Sequence, residues 1–432
     1  MSNPIANWWR SQQFNSALKR GDTKKAEQLL QAIQQSGASF SWIEKLFRDK
    51  LQLDRYSQDY KREIANLTKQ ITDERHQTDN LTLLPEKKFI KFVKENFNLV
   101  QHDEYKLQVT GIDQQIFDDF EASLVEYLKV EFRRFSQEEL YLRINDALED
   151  INKLKIGQDP NYNFSLTPHV YFMKFFLENV YCLYLAWFLV YQDGLLPTQV
   201  KILDIAAGPG TVAYALALFF KSAVNFCKIP PIHISYYSLE QQDDLQFRGL
   251  QFWRRYIESQ ITPINTYFRF VTSDVFSWNY QCANLPGDFF DFIIISHCFF
   301  SDRNKRIQVH DIYQQVIAKS LNAQGYVILV IQDKKLFRFY NCPQSEDLEQ
   351  ERNIVIKFVS DLGLKLVWYR YLTSTDSRLS YPPAQFARFA RENLPKQVNM
   401  SPMIHKYFNQ MYDSHYTLDD YVILAQKQNI KA

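Results

Sequence analysis

The chain has 432 residues, of which 46% are apolar and 16% aromatic, and its formal net charge is +1. This content of apolar and aromatic side chains excludes a disordered chain. The near-zero charge excludes a global electrostatic attraction to nucleic acid or to an anionic membrane. At roughly 150 residues per domain, two or three domains are expected.

The five cysteines are widely spaced and include no CxxC pair. Neither a zinc site nor a disulfide framework is therefore predicted. The first fourteen residues, MSNPIANWWRSQQF, lack a basic segment followed by an apolar run, so no signal peptide is predicted. These features together predict a cytoplasmic protein without a bound metal.

The first part of the chain has the pattern of amphipathic helices. Residues 14–36 predict two short helices that are interrupted at residues 20–22, and residues 41–76 and 113–152 predict further helices. We therefore expect an all-helical N-terminal domain over residues 1–165. The segment 157–168 contains two prolines, which is typical of a domain boundary.

An apolar stretch over residues 170–191 is about as long as a membrane-spanning helix. It contains Lys174, Glu178 and Asn179, which would make spanning a bilayer costly. The pattern therefore predicts a helix buried in a large soluble domain, without a membrane span.

From residue 200 onward, predicted strands alternate with predicted helices. This alternation indicates βαβ units and a largely parallel sheet, here of seven strands with the last one antiparallel. We expect this domain to cover residues 166–432, with a long insertion at 374–417 between the last two strands. The strands are predicted at 200–205, 232–239, 267–271, 289–296, 326–331, 365–372 and 421–426, and the helices at 210–226, 241–259, 304–321 and 349–361.

A turn rich in small residues follows the first of these strands. The strand ends at Asp204, and Gly208 and Gly210 precede a long helix. Such glycines allow a ligand to approach the backbone, and the helix N-terminus supplies free N–H groups. With Ala213, the turn also fits the dinucleotide pattern GxGxxG/A, although nicotinamide sites usually follow an uncharged strand end. The next strand ends in Glu240, where a ribose diol would need an acceptor.

The stretch 204–210, DIAAGPG, resembles the first motif of class I S-adenosylmethionine-dependent methyltransferases. Glu240 resembles the ribose-binding acid of that family, residues 273–275 resemble its adenine-contacting segment, and residues 291–297 resemble its fourth motif. The resemblance covers about residues 165–428 and implies a Rossmann-like seven-stranded sheet that binds S-adenosylmethionine. The cofactor-binding residues that it implies are Asp204, Ala206, Gly208, Gly210, Thr211, Glu240, Gln241, Ser273, Asp274, Val275 and Ser296.

Methyl transfer from a sulfonium is an in-line displacement, so the protein mainly positions the donor and the acceptor. A base is needed only for a hydroxyl or a protonated amine, and His297 is the catalytic candidate. The N-terminal domain and the insertion 374–417 are expected to cover the site. Within the insertion, Tyr381, Phe386 and Phe389 are the predicted substrate lid.

The sequence thus favours a methyltransferase that acts on a small-molecule or peptide-like acceptor by O- or N-methylation. The fourth motif lacks the Asn/Asp-Pro-Pro-Tyr/Phe pattern of enzymes that methylate exocyclic amines of nucleobases. Three alternatives stay open: a non-catalytic interaction protein that retains the cofactor fold, an RNA methyltransferase, and an NAD-dependent oxidoreductase.

Overall fold

The computed structural model describes residues 4–20, 22–36, 44, 82–156, 158, 160, 162, 164–260, 263–277 and 285–428. The chain divides into two compact units, residues 1–79 and 80–432. In the first unit, helices α1 (Pro4–Lys19) and α2 (Thr23–Gln35) pack against each other through an apolar cluster that includes Phe14 and Leu30. The predicted interruption at residues 20–22 is confirmed, because α1 ends at Lys19 and α2 begins at Thr23. The other predicted helices of this unit, at 41–76, lie outside the described residues apart from residue 44.

The second unit is built on one mixed sheet with helices on both faces. Its strands are β1 (Leu99–Gln101), β2 (Lys106–Val109), β3 (Gln199–Ile205), β4 (Ile232–Glu240), β5 (Ile264–Thr272), β6 (Phe290–Ser296), β7 (Leu321–Gln332), β8 (Leu364–Thr373) and β9 (Asp419–Lys427). Its helices are α3 (Lys87–Asn96), α4 (Gln114–Phe132), α5 (Gln137–Asn152), α6 (Thr167–Gln192, with a π-helical segment at Phe172–Phe176), α7 (Thr211–Ala223), α8 (Asp243–Tyr256), α9 (Arg303–Ser320), α10 (Asp333–Phe339), α11 (Leu348–Asp361), α12 (Pro383–Asn393) and α13 (Ser401–Phe408).

The strand order across the sheet is β1-β2-β8-β9-β7-β6-β3-β4-β5. Strands β3 to β7 are parallel to one another, whereas β9 runs antiparallel between β7 and β8. The seven predicted strands are all present, and the Rossmann-like α/β fold predicted from the sequence is confirmed.

The two strands at one edge of the sheet come from the predicted helical region. Strand β2 pairs in parallel with β8, and β1 pairs with β2. The helical part after residue 82 therefore folds with the sheet, and the units divide at residues 79 and 80 instead of the predicted 165. The physical reason is that β2 needs β8 to satisfy its backbone hydrogen bonds.

Each face of the sheet packs against its own set of helices because side chains alternate along a strand. On β3, Ile202 belongs to the cluster that contains α6 and α7, and Leu203 belongs to the cluster that contains α9 and α11. On β6, Ile294 and Ile295 divide between the two clusters in the same way. The continuous apolar strands of the sequence are thus buried on both faces.

The apolar stretch at 170–191 forms most of helix α6. Among the described residues, α6 is the one helix long and apolar enough to cross a membrane, but 72% of its most apolar window is buried inside the protein. Its polar residues have protein partners, since Glu178 accepts a hydrogen bond from Thr417 and Lys174 donates one to Asn152. Helix α6 is accordingly a core helix of the second unit.

Candidate functional site

Strands β3 to β7 are parallel, so their carboxyl ends meet at one edge of the sheet, where ligands bind in open α/β folds. A cavity of about 650 Å³ lies at this edge. Its volume is within the range of about 300–1,000 Å³ that is usual for small-molecule sites. The predicted site residues that line it are Ala206, Gly208, Glu240, Gln241, Ser273, Asp274, Val275, Ser296 and His297.

The turn after β3 has an unusual backbone. Gly208 and Gly210 have φ angles of 54° and 86°, in the left-handed region that glycine adopts without a steric penalty. Seven non-glycine residues of the described part also have positive φ, and three of them, Tyr162, Ala206 and His297, line the cavity. Such strained residues tend to cluster at functional sites, so the backbone independently marks this cavity.

Glu240 connects the end of β4 to the glycine turn. Its Oε2 accepts a hydrogen bond from the N–H of Gly208 at 2.8 Å, and its Oε1 accepts one from the N–H of Gln242 at 2.9 Å. Burial raises the pKa of Glu240, and these two N–H groups, together with the N–H of Gln241, oppose that effect. A carboxylate has about four lone-pair sites, so each oxygen can still accept one hydrogen bond from a ligand in the cavity.

Three predicted cofactor residues are not among the described residues that line the cavity: Asp204, Gly210 and Thr211. Asp204 and Thr211 are buried, and Asp204 accepts a hydrogen bond from the hydroxyl of Tyr236. Burial raises the pKa of Asp204 to about 8. Asp204 is thus buried at the end of β3, next to the glycine turn, and its hydrogen bond with Tyr236 connects β3 to β4.

His297 follows β6, and its ring is close to a carboxylate that the sequence analysis did not single out. Nδ1 of His297 lies 3.7 Å from Oδ1 of Asp420, at ion-pair distance. Nε2 is buried and has no hydrogen-bond partner among the described residues. Burial, with the positive charge of Lys335, lowers the pKa of His297 to about 4. The imidazole is therefore neutral at pH 7, and the nearby carboxylate favours the proton on Nδ1.

Helix α6 and the segment before it supply a cavity wall that the sequence analysis missed. Tyr171, Phe175 and Asn179 of α6 line the cavity, and the side-chain amide of Asn179 donates to the hydroxyl of Tyr171 at 3.3 Å. Pro160 and Tyr162 extend this wall. The one available signal was Asn179, a polar residue in an apolar helix, at a position from which it can face a polar ligand.

The insertion 374–417 begins and ends at the carboxyl edge of the sheet, because β9 is antiparallel to both β7 and β8, so that β8 ends and β9 begins at that edge. The predicted lid residues Tyr381, Phe386 and Phe389 are nevertheless not among the described residues that line the cavity. Tyr381 donates to Asp376 and packs edge-on against Phe389, with ring centroids 5.7 Å apart. The first part of the insertion is held elsewhere by a buried ion pair between Arg378 and Glu351.

The end of the insertion does approach the cavity. Thr417 donates a hydrogen bond to Glu178 of α6 at 2.7 Å, and Asp420 lies beside His297. The segment that leads into β9 therefore contributes to the site indirectly. It contacts Glu178, on the helix that forms a cavity wall, and His297, which lines the cavity.

Several buried carboxyl groups have raised pKa values in the folded protein. We therefore expect the free energy of unfolding to fall as the pH rises above neutral. In the unfolded chain such groups have pKa values near 4, so the folded state binds more protons between the two values. The free energy of unfolding should therefore fall from about pH 6.5 to pH 8.5, since ∂ΔG/∂pH is negative where the folded state holds the extra protons. Burial raises the pKa to about 8 for Asp204 and to about 7 for Glu121, Glu178, Asp333 and Asp419.

Urea denaturation at several pH values measures this slope, and Glu121→Gln should make it shallower. Glu121 accepts a hydrogen bond from the N–H of Met400 at 2.7 Å, which the amide oxygen of glutamine can replace. Glu126→Gln on the same helix is the control, because Glu126 is exposed. An unfolding free energy that rises between pH 6.5 and 8.5 would contradict this account.

The class that this fold and site define is a Rossmann-like protein with a small-molecule cavity at the carboxyl edge of its sheet. No protein-family model matches the chain, and no curated protein matches its sequence. The chain is similar to a SAM-dependent methyltransferase from Methanosarcina mazei, with 14% identity over 54% of this chain and 95% of that one and a TM-score of 0.31.

Two further solved structures are similar at the same level. A S-adenosylmethionine-dependent methyltransferase from Clostridium acetobutylicum has 10% identity over 60% of this chain and 97% of that one, with a TM-score of 0.32. A plantazolicin methyltransferase, solved in complex with a pentazolic desmethylPZN analog and SAH, has 11% identity over 73% of this chain and all of that one, with a TM-score of 0.30.

Proposed function

We propose that this protein is an S-adenosylmethionine-dependent methyltransferase that acts on a small-molecule or peptide-like acceptor. The observation that carries the proposal is the position of Glu240, whose carboxylate lines the cavity and holds the glycine turn by the N–H of Gly208. The cavity edge is completed by residues 273–275 after β5 and by His297 after β6. These positions support the assignment of the first, ribose, adenine and acceptor motifs of the resemblance.

The residues of the turn fit an adenosyl sulfonium better than a dinucleotide. A pyrophosphate needs free N–H groups at the turn, but the N–H of Gly208 is already donated to Glu240. The negative charge of Glu240 at this position repels a pyrophosphate and attracts a cation. Each carboxylate oxygen can still accept a ribose hydroxyl, so Glu240 would hold the cofactor and Gln241 would extend its pocket.

The bound cofactor would supply an activated methyl group, and the chain would supply position and a proton acceptor. Nε2 of His297, buried and without a partner among the described residues, is the atom that can accept the proton of a hydroxyl or amine. The imidazolium that forms would be stabilised by Asp420 at 3.7 Å. This geometry therefore supports O-methylation or N-methylation of an acceptor, with His297 as the group that takes up the proton.

The proposal predicts that Glu240→Gln weakens the binding of S-adenosylhomocysteine about ten- to a hundredfold. Charge-assisted hydrogen bonds contribute roughly 1.5–3 kcal/mol, and about 1.4 kcal/mol is a tenfold change in affinity. The substitution also places an NH2 group against one of the two backbone N–H groups, so the melting temperature should fall. Isothermal titration calorimetry and thermal melts measure both effects.

Asp243→Asn is the matched control, because Asp243 is an exposed acid near Glu240 that is not among the described lining residues. NADH is titrated in parallel and should not bind. Binding of NADH with no binding of S-adenosylhomocysteine would favour the oxidoreductase. Binding of neither ligand would favour the non-catalytic alternative.

A further inference from the structure

Two polar side chains of helix α6, Tyr171 and Asn179, lie together in the cavity wall beside the glycine turn. Both are half-buried, and Nδ2 of Asn179 is 3.3 Å from the hydroxyl oxygen of Tyr171. A Cβ built on Gly208 would lie 3.8 Å from that oxygen, so the pair faces the turn across a short gap. Most of α6 packs in the apolar core, and a polar pair that lines the cavity therefore points to a polar ligand group.

The π-helical segment Phe172–Phe176 brings these two side chains to one face of α6. In a regular α-helix, with 3.6 residues per turn, a residue eight positions along the chain lies roughly 80° around the axis. A π-helical turn inserts one residue and reduces this difference to roughly 20°. Such turns are frequent at functional sites, so the irregular helix is part of how this wall is built.

The pair presents one hydrogen-bond donor and one acceptor to the cavity. The Tyr171 hydroxyl accepts the amide N–H of Asn179, which leaves its own proton to donate. The side-chain oxygen of Asn179 has no hydrogen-bond partner in the part of the chain that the structure describes. Burial, with the carboxyl groups of Glu240 and Asp204 nearby, raises the pKa of Tyr171, so the hydroxyl keeps its proton at pH 7.

The glycine turn itself has no donor left for a ligand. The N–H groups of Ala207, Gly208 and Gly210 are all donated to acceptors within the protein. The remaining residue of the turn, Pro209, has no N–H. A negatively charged ligand group that lies against residues 207–210 therefore takes its hydrogen bond from the facing wall, where Tyr171 supplies one.

We propose that Tyr171 and Asn179 bind the α-amino acid end of S-adenosylmethionine. The Tyr171 hydroxyl donates to the carboxylate, and the side-chain oxygen of Asn179 accepts from the ammonium. This inference rests on the proposed methyltransferase function, because the sulfonium joins this end of the cofactor to the ribose that Glu240 would hold. The negative charge of Glu240 also attracts the ammonium, which offsets its repulsion of the carboxylate on the same carbon.

The test compares S-adenosylhomocysteine with 5′-deoxy-5′-(butylthio)adenosine by calorimetry. The second ligand has the same adenosine and the same number of chain carbons, but it has neither the ammonium nor the carboxylate. S-adenosylhomocysteine should bind about tenfold or more tightly, because hydrogen bonds to charged groups are the stronger ones. Equal affinities of the two ligands would overturn the proposal.

Tyr171→Phe removes the hydroxyl alone and should reduce the preference for S-adenosylhomocysteine about fivefold. Asn179→Ala should reduce it at least as much, because it removes the acceptor and the N–H that orients the hydroxyl. The affinity for the butylthio ligand should change little in both variants, which shows that the cavity is still folded. An unchanged preference in both variants would also overturn the proposal.

Tyr191→Phe is the matched control on the same helix. The hydroxyl of Tyr191 accepts from the N–H of Glu86 and donates to the carbonyl of Leu84, and Tyr191 is not among the described residues that line the cavity. This variant loses hydrogen bonds of α6 without touching the site, so the preference should stay as it is. An equal fall in Tyr191→Phe and Tyr171→Phe would mean that both act through the helix alone and would contradict the proposal.

The failure of this inference differs from the failure of the proposed function. If the two ligands bind equally well, the assignment of the amino acid end is wrong and the methyltransferase proposal stands. If neither ligand binds, the methyltransferase proposal fails, and the assignment of Tyr171 and Asn179 fails with it.

Discussion

Replacing Gly249 by alanine should destabilise the second unit by roughly 1–3 kcal/mol and weaken S-adenosylhomocysteine binding. Gly249 lies on helix α8 directly against the glycine turn: a Cβ built there would be 2.1 Å from the carbonyl oxygen of Pro209 and 2.6 Å from its carbon. These contacts are with backbone, so either the turn or the helix must move. Urea denaturation and calorimetry measure the two effects.

Gly287→Ala is the control for this substitution. A Cβ at Gly287 would be 3.5 Å from the carbonyl oxygen of Lys319, which is ordinary van der Waals contact. Its stability and cofactor affinity should therefore stay close to those of the unaltered protein. If Gly249→Ala proved as stable as Gly287→Ala, the close approach of α8 to the turn would not be correct.

Under the proposed function, replacing His297 by asparagine should lower the rate of methyl transfer by about 10²–10⁴-fold, which is the usual contribution of a positioned general base. Asparagine suits this position because His297 has a φ of 58°, and asparagine is among the residues that tolerate the left-handed region. The affinity for S-adenosylhomocysteine should change little. Transfer of labelled methyl from the donor into a metabolite extract measures the rate.

Asp420→Asn should lower the same rate by a smaller factor, on the order of ten- to a hundredfold, because the imidazolium loses its charged neighbour at 3.7 Å. Asp420→Glu, which keeps the charge, should recover part of the activity. His405→Asn is a control on a surface histidine that is paired with Asp413. A His297→Asn variant with full activity would show that the acceptor reacts without a base at this residue.

Much of this architecture follows from local patterns in the sequence. The seven strands at 200–426 were predicted because each is a short apolar run next to a helix with one apolar face, and burial on both faces of a parallel sheet requires that composition. The turn at 204–211 and the acid Glu240 could be located from the sequence because each is recognised by residues that are adjacent in the chain. Helix α6 was predicted to be buried because its few polar residues are incompatible with lipid.

Only the tertiary structure decided which distant residues meet. Strands β1 and β2 lie within residues 1–165, which were predicted to be all-helical, and they form because β2 pairs with β8 at the far end of the chain and β1 pairs with β2. Asp420 approaches His297 because β9 is inserted antiparallel beside β7, which brings the start of β9 to the carboxyl edge.

The same dependence explains why the predicted lid residues lie away from the cavity and why α6 supplies a wall. Tyr381 and Phe389 follow Arg378, whose ion pairs with Asp103 and Glu351 hold that segment near β2 and α11. Tyr171 faces Gly208 because the sheet and α6 pack together through a shared core. Local sequence determines the elements and the chemistry of each strand end, whereas packing between distant elements determines which side chains complete the site.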